Sequence, residues 1–281
     1  MAKIIDGKSL ALKIEREIFL KFKNSRKKIT LAIVKVANSR ESSNSYCLTQ
    51  EKLAAKFGYS VFPVQYASNI SKQTLIKAIL KLNRNPQITG MLLQLPLPKT
   101  IDPQEIISHI DPRKDAEGIH PNNLGKLFFD GNGVIPPTPA AVMHLLKSLN
   151  LSLYGKEVVI VGHSEIVGKP LSLLLLKEFS TVTVCHIATY KKNNLKVHTK
   201  RADILIVACG QPEMITGEYI KKGCIIVDIG INYVNSILKG DVNFQSAIKK
   251  ASYITPVPGG VGPLTNVMLA KNLLKLAEIR I

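Results

Sequence analysis

The run Pro256-Val257-Pro258-Gly259-Gly260-Val261-Gly262-Pro263-Leu264-Thr265 places three prolines and three glycines in ten residues. Proline fixes φ and removes a backbone donor, while glycine admits φ > 0 and the close approach of another group. The stretch reads as a rigid, shaped loop, not the inside of a helix or a central strand, with backbone amides free to face a ligand. A helical pattern follows at once through Leu264, Val267, Met268, Leu269, Leu273 and Leu274. The loop therefore sits over a helix N-terminus, a natural seat for anions.

Upstream, helical and strand-like segments alternate. Ser9 to Lys23, Ser45 to Phe57 and Ser71 to Asn83 have amphipathic helical spacing, the last opened by Ser71 as N-cap. Thr30 to Val36, Ser60 to Val64 and Gly90 to Gln94 read as strands. Ile101 to Ile110 reads as a helix, followed by a polar loop containing Pro112, Gly118, Pro121 and Gly125. Pro136-Pro137-Thr138-Pro139 punctuates the chain before a helix from Ala140 to Leu149. A second α/β series follows, with strands at Glu157 to Val161, Thr181 to Cys185, Ala202 to Ala208 and Cys224 to Ile229. This rhythm predicts parallel sheets with helices on both faces. The expected domains are 1–139 plus 264–281, and 140–263.

Composition narrows the class. The chain has 281 residues, 46% of them hydrophobic, and no apolar run long enough to span a bilayer. The N-terminus lacks the order of a signal peptide, so the cytoplasm is expected and no membrane partner. Four scattered cysteines form no C-x-x-C pair and six histidines no ligand-spaced pair, so neither a disulfide framework nor a metal site is expected. The net charge of +18 raises nucleic-acid binding. Yet the lysines are spread over most helices and no nucleic-acid module is present, so a solvated basic surface that attracts anionic ligands is the preferred reading.

Val158-Val159-Ile160-Val161-Gly162-His163-Ser164-Glu165-Ile166-Val167-Gly168-Lys169-Pro170 has the strand, glycine loop and helix order of a dinucleotide-binding βαβ unit. Gly162 makes the turn off the strand, and Gly168 lets the helix pack closely with its first amides facing a pyrophosphate. The spacing is not G-x-G-x-x-G. NAD sites usually carry an acid at the end of the next strand, for the ribose 2′-OH. Here Cys185 is followed by His186-Ile187-Ala188-Thr189-Tyr190-Lys191-Lys192, with no acid. Lysines or a protonated His163 would attract a 2′-phosphate, which favours NADP and leaves NAD as the alternative.

Together these segments resemble the bifunctional methylenetetrahydrofolate dehydrogenase/methenyltetrahydrofolate cyclohydrolase family. The carriers are Gln94-Leu95-Pro96-Leu97-Pro98, Lys114-Asp115-Ala116-Glu117-Gly118, Pro137-Thr138-Pro139, Gly162 to Pro170, Asp228-Ile229-Gly230-Ile231-Asn232 and Ile254 to Thr265. The resemblance implies an α/β protein of two domains, a Rossmann-like dinucleotide-binding domain and an N-terminal α/β catalytic domain, with an interdomain cleft for the folate and a homodimer formed through the cofactor domain. It implies hydride transfer from 5,10-methylenetetrahydrofolate to NADP, then hydrolysis of the methenyl product to 10-formyltetrahydrofolate. Tyr46, Gln50, Gln94 and Glu117 stand at the family's catalytic positions. Substrate contacts would come from Tyr46, Gln94, Leu95, Pro96, Glu117, Pro258, Gly259, Gly260 and Gly262, and cofactor contacts from Gly162, His163, Ser164 and Ile231.

Three positions depart from the family pattern. The family carries lysine four residues after the tyrosine, one helical turn on and on the same face; here that position is Gln50, and Lys52 points to another side. Glutamine cannot titrate near neutral pH, so weak or absent cyclohydrolase activity is expected, whereas hydride transfer chiefly needs positioning. Glu117 replaces an aspartate that would accept hydrogen bonds from the pterin amine and ring nitrogen. His163 replaces an arginine that clamps the 2′-phosphate. The alternative reading is a catalytically impaired folate-binding or dimer-partner relative. Asp115 keeps the family identity and reads as a loop brace.

Overall fold

The computed structural model describes residues 2–25, 27–37, 41–129 and 133–279. In chain order the elements are β1 (Lys3–Ile4), α1 (Gly7–Lys23), β2 (Thr30–Val36), α2 (Glu41–Phe57), β3 (Ser60–Tyr66), α3 (Lys72–Arg84), β4 (Gly90–Leu93), α4 (Pro103–Ser108), α5 (Pro121–Phe129) and α6 (Pro137–Ser148). They continue with β5 (Glu157–Val161), α7 (Gly168–Lys177), β6 (Thr181–Cys185), α8 (Ile187–Lys191), α9 (Leu195–Thr199), β7 (Ile204–Val207) and β8 (Ile225–Asp228). β9 (Asn232–Val234), β10 (Ile237–Lys239), α10 (Phe244–Ala247), β11 (Tyr253–Ile254) and α11 (Val261–Ile279) complete the chain. Among the described residues no helix is long and apolar enough to cross a membrane.

The chain divides into two compact units, Lys13–Pro137 with Asn266–Ile281, and Met1–Leu12 with Thr138–Thr265. In the first, β2 pairs in parallel with β3 and with β4. β2, apolar but for Thr30 and Lys35, is central, and β3, interrupted by Pro63, takes an edge where a missing donor is tolerated. Residues 114–116 extend the sheet beyond β4: Met91 N–H donates to Lys114 O at 2.6 Å and Ala116 N–H to Met91 O at 3.1 Å. Ala32, Val34, Val36, Met91 and Leu93 face a core shared with Leu75 and Ile79 of α3 and Ile106 and Ile107 of α4. On the other sheet face, a Cβ on Gly90 would meet Leu273 and Leu276 of α11 at 2.8 and 3.2 Å. α11 is pinned there by Asn272, whose side-chain amide donates to Ala116 O at 2.9 Å and Ile135 O at 2.8 Å.

The second unit holds a parallel sheet in the order β1-β11-β8-β7-β5-β6. Residues 158–161 of β5, 204–207 of β7 and 225–227 of β8 are uninterrupted apolar runs because these central strands are covered on both faces. Val158, Val159, Ile160, Leu205 and Ile206 are all fully buried, each contributing about 2 kcal/mol. β5 is followed by its neighbour β6, after which the chain crosses back to β7 on the other side of β5. That reversal between β5 and β7 is the topological switch at which doubly wound sheets bind ligands.

Several segments depart from expectation. The loop expected after residue 110 contains α5, in which Gly125 lies inside a helix; buried Leu127 and Asn123 hold the helix where local propensity is poor. α11 begins at Val261, so Gly262 and Pro263 lie in its first turn. Proline is accommodated there because the first amides of a helix have no intrahelical acceptor. Residues 2–12, expected with the N-terminal domain, group with the second unit because β1 pairs with β11 and Lys8 N–H donates to Gly259 O at 3.1 Å. The β9–β10 hairpin and the short α8 and α9 are additional.

Candidate functional site

In the first unit the candidate residues meet at the C-terminal edge of the sheet. Gln94 follows β4, continues its pairing through Gln94 N–H to Val34 O at 2.9 Å, and is buried. The Cys47 thiol, on α2, donates to Gln94 Oε1 at 3.1 Å. Tyr46 precedes it on α2, half-buried. Burial first, then the carboxylate of Glu117, pushes the Tyr46 phenol well above its ordinary range. Glu117 lies just past the 114–116 extension, also half-buried, and burial together with the Asp115 charge pushes its carboxyl up to about 8. Burial, with Glu117 adding to it, raises the Cys47 thiol to about 11, opposed by the Lys35 ammonium. Leu95 and exposed Pro96 continue the edge, with the Leu95–Pro96 bond cis.

Gln50 sits differently. It is fully buried, its amide donates to Asn266 Oδ1 at 3.2 Å, and its backbone carbonyl accepts the Tyr59 hydroxyl at 3.1 Å. Tyr59 in turn stacks on Phe22 with ring centroids 5.2 Å apart. Gln50 thus fastens α2 to α11, and its amide is spent on protein partners.

The Lys114-Asp115 pair is structural. The Lys114 ammonium is buried and donates to Leu82 O at 2.9 Å and Asn85 O at 2.7 Å, closing the C-terminus of α3. The buried Asp115 carboxylate accepts from His120 N at 2.8 Å, Asn123 Nδ2 at 2.9 Å and Glu117 N at 3.2 Å. It holds the turn that aims Glu117, and fulfils the expectation of a brace.

In the second unit the glycine turn has the expected form. Gly162 adopts φ +132°, and a Cβ there would lie 2.2 Å from Ala208 O across the switch point. A Cβ on Gly168 would lie 2.1 Å from Gly162 O. His163 and Ser164 are exposed on this turn, and Ser164 Oγ accepts Val167 N–H at 3.2 Å. The His163 ring lies 5.1 Å from that of His186, which caps α8 through Ala188 N–H. Ile231 is 52% exposed at the same strand ends. A backbone this close, with no side chain in the way, fits the pyrophosphate of a dinucleotide.

Two further networks shape this unit. The buried Asp228 carboxylate accepts from Gly230 N, Asp241 N and Val242 N at 2.9–3.0 Å, and burial raises it to about 6 against those donors. Asp241 Oδ2 takes Cys209 N at 2.7 Å and Gly210 N at 2.9 Å, and Oδ1 takes Asn232 Nδ2 at 2.8 Å. Together they brace the loops after β7 and β8. Asp228→Asn replaces one acceptor oxygen by a donor facing N–H groups. It is expected to cost about 2–3 kcal/mol, measured as denaturant unfolding at neutral pH. In the proline-glycine loop, Gly259 has φ +107° and the Val257–Pro258 bond is cis. Gly7 packs onto Gly260 O with no space for a Cβ, and Gly260 approaches Pro256 O. Packing within the unit therefore uses Gly259 and Gly260, while a Cβ at Gly262 would meet open space.

The candidate residues thus fall into two sets. Tyr46, Gln94 and Glu117 gather in the first unit with Gln50 set into its packing. Gly162, His163, Ser164, Ile231 and the 258–262 loop lie in the second. Sequence reasoning missed Cys47, which reads as a small hydrophobe yet holds the Gln94 side chain.

A doubly wound dinucleotide-binding sheet with a second α/β unit that assembles tyrosine, glutamine and glutamate defines a two-domain oxidoreductase of the nicotinamide-dependent kind. Family models for tetrahydrofolate dehydrogenase/cyclohydrolase match both parts, the catalytic domain over residues 5–117 and the NAD(P)-binding domain over residues 136–281. The chain belongs to this family. It is 44% identical to "Bifunctional protein FolD" of Acetivibrio thermocellus, covering 99% of this chain and 98% of the relative, and 42% identical to that of Bacillus subtilis, with 99% and 98% covered. The crystal structure of FolD from Campylobacter jejuni superposes with a TM-score of 0.93 at 38% identity, covering both chains fully. The Trypanosoma brucei enzyme, complexed with NADP cofactor and inhibitor, superposes at 0.92 with 35% identity, over 100% of this chain and 99% of that one.

Proposed function

We propose that this protein oxidises 5,10-methylenetetrahydrofolate to 5,10-methenyltetrahydrofolate with NADP and hydrolyses the product to 10-formyltetrahydrofolate. The observation that carries this reading is the convergence of Tyr46, Gln94 and Glu117 at one sheet edge, in a chain of this family. Glu117 in its ionised form accepts the pterin amine and ring N–H. Gln94, its Oε1 held by Cys47, presents its amide to the one-carbon unit. Tyr46 packs against the folate on the face of α2 that bears Cys47. Leu95 and Pro96 wall the pterin.

A nicotinamide cofactor would supply the hydride acceptor. The Gly162–Gly168 turn would hold its pyrophosphate, with His163, Ser164 and Ile231 as its other contacts. No acid follows β6, and Lys191 and Lys192 stand exposed beyond it, so a 2′-phosphate meets positive charge. The NADP-bound T. brucei relative supports the same choice. The catalytically impaired alternative finds no support in the relatives. The protein is proposed to act as a homodimer in the cytoplasm.

The test is methylenetetrahydrofolate-dependent reduction of each nicotinamide cofactor in turn. NADP should give a kcat/KM at least about tenfold above that of NAD, the effect of one charge-assisted contact. Equal values, or a preference for NAD, would remove the cofactor assignment.

A further inference from the structure

We propose that the Cys47 thiol is a positioning residue that presents the Gln94 amide to the folate by its N–H end, and so tilts this site toward the hydrolytic half-reaction. This deepens the functional reading above and rests on it. The backbone of Gln94 is fixed by the sheet, through its N–H to Val34 O at 2.9 Å. The orientation of the side-chain amide is a separate matter, because its oxygen and NH2 ends have nearly the same shape and only their partners tell them apart. The partner that α2 supplies is the Cys47 thiol, 3.1 Å from Gln94 Oε1, with both residues buried. Burial, helped by the Glu117 charge, raises that thiol to about 11. The sulfur therefore keeps its proton and donates, and the end it binds is the oxygen. Nε2, with two hydrogens to give, is the end turned away from the sulfur.

Gln50 stands three residues on, on the same side of α2, and serves other contacts. Its amide donates to Asn266 Oδ1 at 3.2 Å, and its Oε1 accepts the Tyr59 hydroxyl at 3.4 Å. The helix thus reaches Gln94 from position 47.

The end presented matters because the two reactions change charge in opposite senses at one carbon. Hydride transfer to the cofactor takes the electron pair of a C–H bond and leaves the one-carbon unit cationic, and an N–H donor does not stabilise growing positive charge. Hydrolysis brings electron-rich atoms to the same place. The oxygen of water bonds to the methenyl carbon, and one water proton passes to solvent. The bond from that carbon to N5 then breaks with its electron pair on N5, and N5 takes a proton from solvent. The hydroxyl proton leaves as the formyl C=O forms on N10. The methenyl cation and one water thus become 10-formyltetrahydrofolate and one proton, and nothing is oxidised or reduced. The added oxygen and the departing N5 both accept hydrogen bonds, and a donor set in place beforehand stabilises them as they form.

The experiment measures both reactions on the same preparations of wild type, Cys47→Ser, Cys47→Val and Cys47→Ala. Serine keeps a donor at this position, valine keeps bulk without the donor, and alanine loses both. The ratio of kcat for methenyltetrahydrofolate hydrolysis to kcat for NADP reduction is expected to fall about tenfold in the Val and Ala variants, the effect of one hydrogen bond. In Cys47→Ser it should stay within about threefold of wild type. NADP reduction should change by no more than about threefold throughout, which also reports that the variants are folded. A packing role predicts the reverse order, because valine suits a buried apolar site and a serine hydroxyl does not. A ratio in Cys47→Val within about threefold of wild type, or a lower ratio in Cys47→Ser than in Cys47→Val, would overturn the proposal. So would equal losses in both reactions. Wild type that reduces NADP without accelerating hydrolysis would overturn it too, leaving the dehydrogenase reading intact. Wild type lacking both reactions would instead overturn the functional reading itself.

Discussion

Glu117→Gln is expected to lower kcat/KM for methylenetetrahydrofolate by about 100-fold, the effect of removing the charged partner from a buried hydrogen-bonded pair, and at the same time to stabilise the protein above pH 8. Both effects come from the enclosure of one carboxyl. Burial and the neighbouring Asp115 raise Glu117 to about 8 from an ordinary 4.5, so the folded state holds its proton more tightly than the unfolded chain. Stability from this group is complete below the unfolded value and is lost as pH rises from about 4.5 through about 8, on the order of a few kcal/mol. Folate recognition needs the opposite form, because only the carboxylate accepts two N–H donors without offering one. In wild type, kcat/KM for the folate should therefore rise with pH up to about 8 and then level. Glutamine removes the titration: its melting temperature should stay flat over the range in which wild type declines, and its activity should lose the rising limb. Rates and thermal melts between pH 6 and 9 on both proteins measure this directly. A variant that keeps the rising limb would assign it to another group.

Gly168→Ala is expected to cost about 3 kcal/mol, roughly 10 °C in melting temperature for a unit of this size, the upper end of overpacking effects. It should also raise the KM for NADP at least about tenfold. The added methyl would lie 2.1 Å from Gly162 O and 2.9 Å from the His163 Cα. Those are backbone atoms in a turn with no slack, since Gly162 at φ +132° is itself pressed against Ala208 O. Relief requires opening the strand-to-helix turn, which withdraws the amides at the start of α7 from the pyrophosphate. Gly125→Ala is the matched control. Its Cβ would meet nothing within 4 Å on α5, and alanine is the better helix former, so a gain of about 0.5–1 kcal/mol is expected. Calorimetry of the two variants beside wild type separates them. Similar melting temperatures would mean that the turn can yield.

The parts of this architecture that could be read from the residues are those governed by local pattern. β5 and β6 fall on the expected boundaries because each is rich in β-branched residues and followed by glycine or histidine, and α3 starts after Ser71 because that side chain accepts Thr74 N–H at 3.1 Å. α5 is illegible because Asn122, Asn123 and Gly125 favour turns; the helix exists through Leu127 in the core and Asn123 held by Pro112 O and Asp115. The N-terminal segment is assigned to its unit by a two-residue pairing with β11, too short to leave a periodicity.

The site divides the same way. Tyr46, Gln94 and Glu117 lie in motifs whose order survives in sequence. The fate of Gln50 does not, because its partner Asn266 is 216 residues away. Nor does the position of Cys47, which only the packing of α2 against the sheet places 3.1 Å from Gln94 Oε1.

The most direct measurement uses 5,10-methylenetetrahydrofolate carrying two deuterons on the one-carbon unit, with NADP and the purified protein, and mass analysis of the reduced cofactor. The expected result is NADPH carrying one deuteron per turnover, with the second retained in the methenyl and formyl products. NADPH without deuterium, or no substrate-dependent reduction, would contradict hydride transfer from the folate as this protein's chemistry.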